Sequence, residues 1–486
     1  MNTYIGMDLG TSGLKMLLVT ADGTILAENT QTYPVSYPNP GWSEQNPEDW
    51  FAAALRGLEQ LLAGQDKSKV RGISFGGQMH GLVALDGSDN VIRPAILWND
   101  GRTEEETQYL NEVIGKEKLS AWTGNIAFAG FTAPKLLWMK KHEIENFAKI
   151  AKIMLPKDYL VYRLSGAFST DFSDASGMLL LDVKNRRWSR EMCDVCGISE
   201  QMLPELHESY EVVGMLKKEI ADKFGLKDVK IIAGAGDNAA AAVGTGVVGE
   251  GGCNISLGTS GTLFVSLSSY KEDKVNALHS FCHADGGWHL MGCILSAASC
   301  NSWWVNGILQ STDYKKEEDG IDEVIGQNDV YFLPYLMGER SPHNDVTARG
   351  AFIGMRPDTT RKMMTLAMLE GVTFALRDCL EAAKKNGAVI PRTKLCGGGA
   401  KSKLWRKIVA NVMNLPVDIP QTEQGPGFGA AMLAMVGCGE YISVQQAADA
   451  IVRIKETVLP DSEIAAQYEK RYHHFTKLYP ALKGLF

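Results

Sequence analysis

Leu9-Gly10-Thr11-Ser12-Gly13 decides how this chain is read, because the same five residues return as Leu257-Gly258-Thr259-Ser260-Gly261. Each copy lies between short apolar runs: Tyr4 to Met7 and Leu14 to Val19 around the first, Asn254 to Ser256 and Thr262 to Val265 around the second. Two strand-like runs joined by glycines and small hydroxyl residues read as a β-hairpin. These residue types are common, so the pentapeptide alone would be a weak signal. Its shared strand–turn–strand setting makes internal duplication the better explanation. The copies stand 248 positions apart in a chain of 486, which predicts two related halves facing each other.

Working outward, Val70 to Phe75, Val83 to Leu85, Val229 to Ala233 and Lys394 to Cys396 read as strands. Asn46 to Leu62, Arg361 to Ala383 and Lys403 to Val412 carry apolar residues at helical spacing. The order is mixed α/β. The glycine-rich stretch from Gly244 to Gly252 sets a boundary that divides the chain into residues 1–247 and 248–486. No long linker separates them, so the halves are expected to pack closely over a cleft.

Composition narrows the function. Hydrophobic residues at 45% and charged residues at 22% exclude disorder as the main state. The charge balance, 49 − 57 = −8, provides no global basic field to recruit nucleic acid or an anionic membrane. An anionic ligand would have to be met locally, by backbone N–H groups, a few cations or a metal. Glycine, 50 residues in all, is enriched over an average of about 7% and sits in short clusters, which suits turns built around ligands. Nine cysteines lack regular spacing, and the one C-x-x-C, Cys193 and Cys196, has no companion pair. Reduced thiols and a cytoplasmic location are expected: no run approaches the ~18 apolar residues of a membrane span, and Met1 to Gly6 has no basic leader.

Four motifs could carry chemistry. In Gly6-Met7-Asp8-Leu9-Gly10-Thr11-Ser12-Gly13 an acid ends a strand and a Gly-Thr-Ser-Gly turn follows, with Lys15 beyond. Such a turn can donate N–H and O–H groups to phosphate while the carboxylate holds Mg²⁺ through water; the plainer alternative is an Asp satisfying turn amides. Leu395 to Ser402 contains Gly397-Gly398-Gly399-Ala400 but lacks the Walker spacing. It would serve either to bring bare backbone against a base and ribose or for close helix–strand packing. Gly234-Ala235-Gly236-Asp237-Asn238-Ala239 matches a dinucleotide turn, yet Gly251 to Leu257 offers no acid for a ribose, so a dehydrogenase is demoted. Asp237 then reads as a helix N-cap, a catalytic base, or both. Finally, Gly77-Gln78-Met79-His80-Gly81 and Trp98-Asn99-Asp100-Gly101-Arg102 place polar groups in bends that could meet sugar hydroxyls or simply form turns. His279, Cys282 and His283 lack a second ligand pair for zinc.

Taken together, these segments resemble the FGGY carbohydrate kinases. Phe131-Thr132-Ala133-Pro134-Lys135-Leu136-Leu137-Trp138, Leu155-Pro156-Lys157-Asp158-Tyr159 and Pro334-Tyr335-Leu336-Met337-Gly338-Glu339-Arg340 extend the likeness over nearly the whole chain. The resemblance implies two ribonuclease-H-like domains of the actin and hexokinase type, with the sugar bound on the first half and ATP on the second. Gln78-Met79-His80-Gly81 points to the branch that phosphorylates D-xylulose. By the same resemblance Asp237 is the general base, and Asp8 organises Mg²⁺ and the phosphates. Met79, His80, Asp237 and Asn238 meet the sugar. Thr11, Ser12, Gly13, Lys15, Gly258, Thr259, Gly398, Gly399, Ala400 and Lys403 meet the nucleotide. Ala235 departs from the usual run of three glycines, which matters only if that position needs a positive φ. The alternatives are a kinase of the same fold for another ketose or polyol (ribulose, fuculose, glycerol) and a catalytically silent sugar-binding module. The partners implied are a pentulose and ATP, with neither nucleic acid nor membrane; a homodimer is left open.

Overall fold

The computed structural model describes residues 1–422 and 424–486. The two hairpins form as expected. Thr3–Leu9 pairs antiparallel with Gly13–Thr20, and Cys253–Leu257 pairs antiparallel with Gly261–Leu267. Each begins a seven-stranded mixed sheet. In the first, Thr3–Leu9 runs parallel to Val70–Gly77, which runs parallel to Lys230–Ile232, and Val212–Met215 closes that edge antiparallel. In the second, Cys253–Leu257 runs parallel to Thr393–Cys396 and then Val417–Pro420, with Ile454–Val458 antiparallel at the edge. The order of directions is the same in both sheets, so the duplicated pentapeptide marks a duplicated sheet. The chain is an α/β protein built on two related mixed sheets.

Local sequence explains the principal helices. Pro47–Leu61 starts where Asn46 accepts the Glu48 amide at 3.2 Å and proline fills the first turn. Arg361–Lys385 is capped by Thr360, and Lys403–Met413 by Ser402. Both lie within two residues of their expected ends. Among the described residues no helix is long and apolar enough to cross a membrane.

One element breaks the simple division into halves. The helix Pro426–Gly437 comes from the second half of the sequence but packs on the first sheet, against Thr3–Leu9 and Val70–Gly77. It also crosses Asp237–Gly244, and the two share a core with Leu17, Val19, Ile232 and Ala235. The crossing is tight because Gly429 has no side chain: a Cβ there would lie 1.8 Å from the Ala240 carbonyl oxygen. Gly429→Ala is therefore expected to force the helices apart at a cost of about 3 kcal/mol, read as a lowered urea midpoint. An unchanged midpoint would mean the contact is looser than described.

Candidate active site

Strand register brings the two acids together. Asp8 lies level with Gly76 on the neighbouring parallel strand, and Gly76 lies level with Ala235 of the short strand Ala235–Gly236. Leu9, Gly77 and Gly236 form the next rank, so three chain segments leave the same sheet edge side by side. Beyond that edge come the first hairpin turn, the Gln78-Met79-His80 bend and Asp237. Ligand sites in parallel sheets gather at this edge because the strands end there and their connections diverge.

Asp237 occupies the first position of the helix Asp237–Gly244, with Gly236 as the N-cap residue. Its carboxylate accepts the Asn238 amide at 2.7 Å and the Asn238 side chain at 3.0 Å. Only Gly234 of the preceding turn has a positive φ, +79°, so Ala235 is accommodated without strain. Burial pushes Asp237 up to about 6, with the Asn238 amide pulling the other way. Burial and the neighbouring Asp237 push Asp8 up to about 7, against a pull from Lys15. Lys15 stands opposite Asp8 across the hairpin and donates to Gln424.

Met79 and His80 lie beside this pair. The Asn238 side chain reaches the Met79 sulfur at 3.9 Å. His80 adopts a positive φ of 70°, and its carbonyl accepts from Thr132 at 3.0 Å and from the buried Lys135 ammonium at 2.8 Å. Its Nδ1 lies 2.7 Å from the Gly177 carbonyl. A carbonyl can only accept, so Nδ1 carries the proton and Nε2 presents a lone pair. Burial, with the nearby Lys135 charge, lowers His80 to about 3. The imidazole is therefore neutral and stacks on Phe131 with ring centres 4.6 Å apart. A neutral acceptor held against an aromatic face suits a sugar hydroxyl.

In the first hairpin turn, the Thr11 hydroxyl donates to Gln78 at 3.0 Å and accepts the Trp98 indole N–H at 2.9 Å. Gln45 joins the Thr11 carbonyl, Gln78 and Trp50. The Thr11 side chain thus ties the turn to the Gln78-Met79-His80 bend. The backbone amides of Thr11, Ser12, Thr259 and Ser260 donate to nothing among the described residues, which leaves them available to an anion. The Gly258 and Thr259 carbonyls are taken by Ala298 and Ala297 at 2.8 and 2.9 Å.

Beside the second hairpin lies a cavity of about 820 Å³ lined in part by Tyr314, Gly398, Gly399, Ser402, Lys403 and Trp405. Its volume is in the range of small-molecule sites. Ala400 is packed beneath this surface rather than lining it. The Trp98 to Arg102 segment divides its labour: Trp98 is exposed, while Arg102 pairs with Asp100 at 2.7 Å inside the protein and stacks on Trp42.

Sequence reasoning quoted the segments holding Lys135 and Arg340 without giving either residue a task. Lys135 supports the His80 backbone. Arg340 comes from the second half and lies 5.3 Å from the Phe128 ring centre, and after burial its charge adds to the lowering of both His80 and His279. Its guanidinium makes no hydrogen bond or ion pair among the described residues. His279 also reaches this wall, against Phe128 and Phe131, and Gln45 reaches Gln78, each from a segment whose local sequence carries no signal for the contact.

The N-terminal domain model of the FGGY family of carbohydrate kinases matches residues 3–244, and the C-terminal domain model matches residues 253–438. The chain is 40% identical over 486 residues to the xylulose kinase of Escherichia coli strain K12, with 99% of each chain covered. A solved structure described as a xyloylose kinase from Brucella ovis superposes with a TM-score of 0.95 at 40% identity, covering all of both chains. A gluconate kinase structure from Lactobacillus acidophilus superposes with a TM-score of 0.94 at 27% identity, covering 99% of this chain and 98% of its own.

Both site acids ionise at higher pH in the folded chain than their ordinary 3.8, so the folded state holds more protons between about pH 4 and about 7. Their contribution to stability therefore falls as pH rises through that window. Asp237→Asn is expected to stabilise the ligand-free protein at pH 8 by on the order of 1–2 kcal/mol, allowing for partial screening by solvent. Urea midpoints at pH 5 and pH 8 check this, since the gap from wild type should open at the higher pH.

Proposed function

The chain belongs to the FGGY family of carbohydrate kinases, and we propose that it phosphorylates D-xylulose at the C5 hydroxyl with Asp237 as general base. As a family member it is a kinase that uses ATP to phosphorylate a sugar. The acceptor rests on the 40% identity to the Escherichia coli enzyme together with Met79 and His80 beside Asp237. The observation that carries the base assignment is the Asp237 carboxyl itself, next to the sugar bend and raised to about 6 by burial. A base poised there is ionised at neutral pH yet basic enough to draw a hydroxyl proton.

In the proposed step, the hydroxyl oxygen bonds to the γ-phosphorus while its proton passes to Asp237. The bond from that phosphorus to the β–γ bridging oxygen breaks, and ADP leaves. The amides of Thr11, Ser12 and Gly13, with Lys15, meet the phosphates from the first half, and those of Gly258 and Thr259 meet them from the second. Gly398, Gly399 and Lys403 receive the nucleoside in the large cavity, with Ala400 supporting them from below. We place the division of labour at residues 1–247 for the sugar side and 248–486 for the nucleotide side. Asp8 would hold Mg²⁺, which supplies charge neutralisation on the phosphates. The fit is good because a half-buried carboxylate raised to about 7 gains from a cation. No group of three or more His, Cys, Asp or Glu residues among the described residues could by itself hold a metal ion, so phosphate and water would complete the set around Asp8, as magnesium favours.

A coupled ADP assay across D-xylulose, ribulose, gluconate and glycerol tests the acceptor, with D-xylulose expected to give the highest kcat/KM. A different leading sugar would overturn the choice, and gluconate is the pertinent rival given the Lactobacillus acidophilus structure. Asp237→Asn should keep sugar binding and lose about 10²–10⁴-fold in kcat. Because the base must be ionised, wild-type kcat/KM should fall as pH drops through about 6. Turnover independent of pH between 5 and 8 would count against Asp237.

A further inference from the structure

The turn that presents Asp237 is fastened at both ends to one buried carboxylate. Gly236 donates its amide to the Ser173 hydroxyl at 3.1 Å, and Ser173 donates onward to Asp171 Oδ2 at 2.5 Å. Gly234 donates its amide to the Ser209 carbonyl at 3.0 Å, and the Ser209 hydroxyl donates to the same Asp171 oxygen at 2.7 Å. The other Asp171 oxygen lies 2.9 Å from the Lys157 ammonium, which also meets Asp158 at 2.7 Å and Asp174 at 3.6 Å. All these side chains are buried.

One ammonium cannot neutralise three carboxylates away from water. Burial pushes Asp158 up and Asp174 well above the ordinary carboxylate range. Such a cluster is a poor source of stability, since apolar residues of similar volume serve about as well. What apolar residues could not do is hold a hydroxyl on the Gly236 amide. Asp171 also accepts the Ser173 amide at 2.8 Å, so both the backbone and the side chain of Ser173 are fixed by one group. The helix that carries Lys157, Pro156–Ser165, packs Lys157 against Gly77 and Pro156 against Gly81, at the two ends of the Gln78-Met79-His80 bend.

We propose that Ser173, anchored by Asp171 and Lys157, is a positioning residue for Asp237: it fixes the Gly236 amide and so the direction in which the catalytic carboxyl points. The proposal rests on Asp237 being the general base. Reactions that depend on near-attack geometry lose rate steeply when a reacting group moves by even ~1 Å.

Ser209 supplies a matched control. Ser209→Ala removes a hydroxyl from the same Asp171 oxygen but leaves its carbonyl on Gly234. Ser173→Ala is expected to lower kcat about tenfold or more with sugar KM within about twofold, whereas Ser209→Ala keeps kcat within about twofold. Thermal melts should show comparable stability losses in the two. Ser173→Thr, which retains the hydroxyl, is expected to recover most of the rate. Parallel kcat losses in both alanine variants, or an undiminished kcat in Ser173→Ala, would overturn the proposal; if Ser173→Ala is too unstable to assay, a Ser173→Thr variant as slow as Asp237→Asn does so. Assaying Asp237→Asn alongside separates the premises. If that variant keeps its turnover, the base assignment fails; if it is inactive while Ser173→Ala is not, only the positioning role falls.

Discussion

Burial of charge at the edge of the first sheet is the constraint on which the site depends. Asp8 and Asp237 are carried there by strands in register, and their surroundings make ionisation costly for both. A protein selected only for stability would not place two carboxyls this way. The arrangement makes sense if a cation and a proton are to pass through it, since each relieves the cost at the moment of use. The rest of the architecture holds the pair in place. The tight crossing at Gly429 presses Pro426–Gly437 onto both the sheet and the helix behind Asp237, and the Lys157 cluster braces the turn in front.

The duplicated sheet gives the two halves equivalent edges. Each sheet offers a hairpin turn with two amides unspent among the described residues, and each is open at the edge where its parallel strands end. The Gln78-Met79-His80 bend belongs to the first half and the large cavity to the second. Yet Arg340 and His279 cross from the second half to the wall formed by Phe128, Phe131 and His80. The second half therefore supplies the large cavity and also part of the wall around His80.

Much of this was legible in local sequence. The hairpins were readable from the repeated turn, and Pro47–Leu61 from Asn46, Pro47 and an apolar stripe. The Gly234 to Asp237 turn was recognisable from its glycines, although Asp237 begins the helix rather than capping it. Less accessible were partners far apart in the chain. Nothing near Thr11 announces that its hydroxyl is engaged by Gln78 and Trp98, and nothing near Asp171 indicates two serines and a lysine. Ala400 looked like part of a binding turn, but close packing turns it inward.

What the amino-acid order determined on its own was the set of local conformations and the repeat that pairs them: turn chemistry, caps and periodicity act over a few residues. It also supplied the family likeness, and with it the candidate acids. Only the tertiary structure decided which groups share a wall, which hydroxyls are already engaged and how far each carboxyl is raised. Those properties come from desolvation and from hydrogen bonds between segments up to several hundred residues apart, and no short window of sequence contains them.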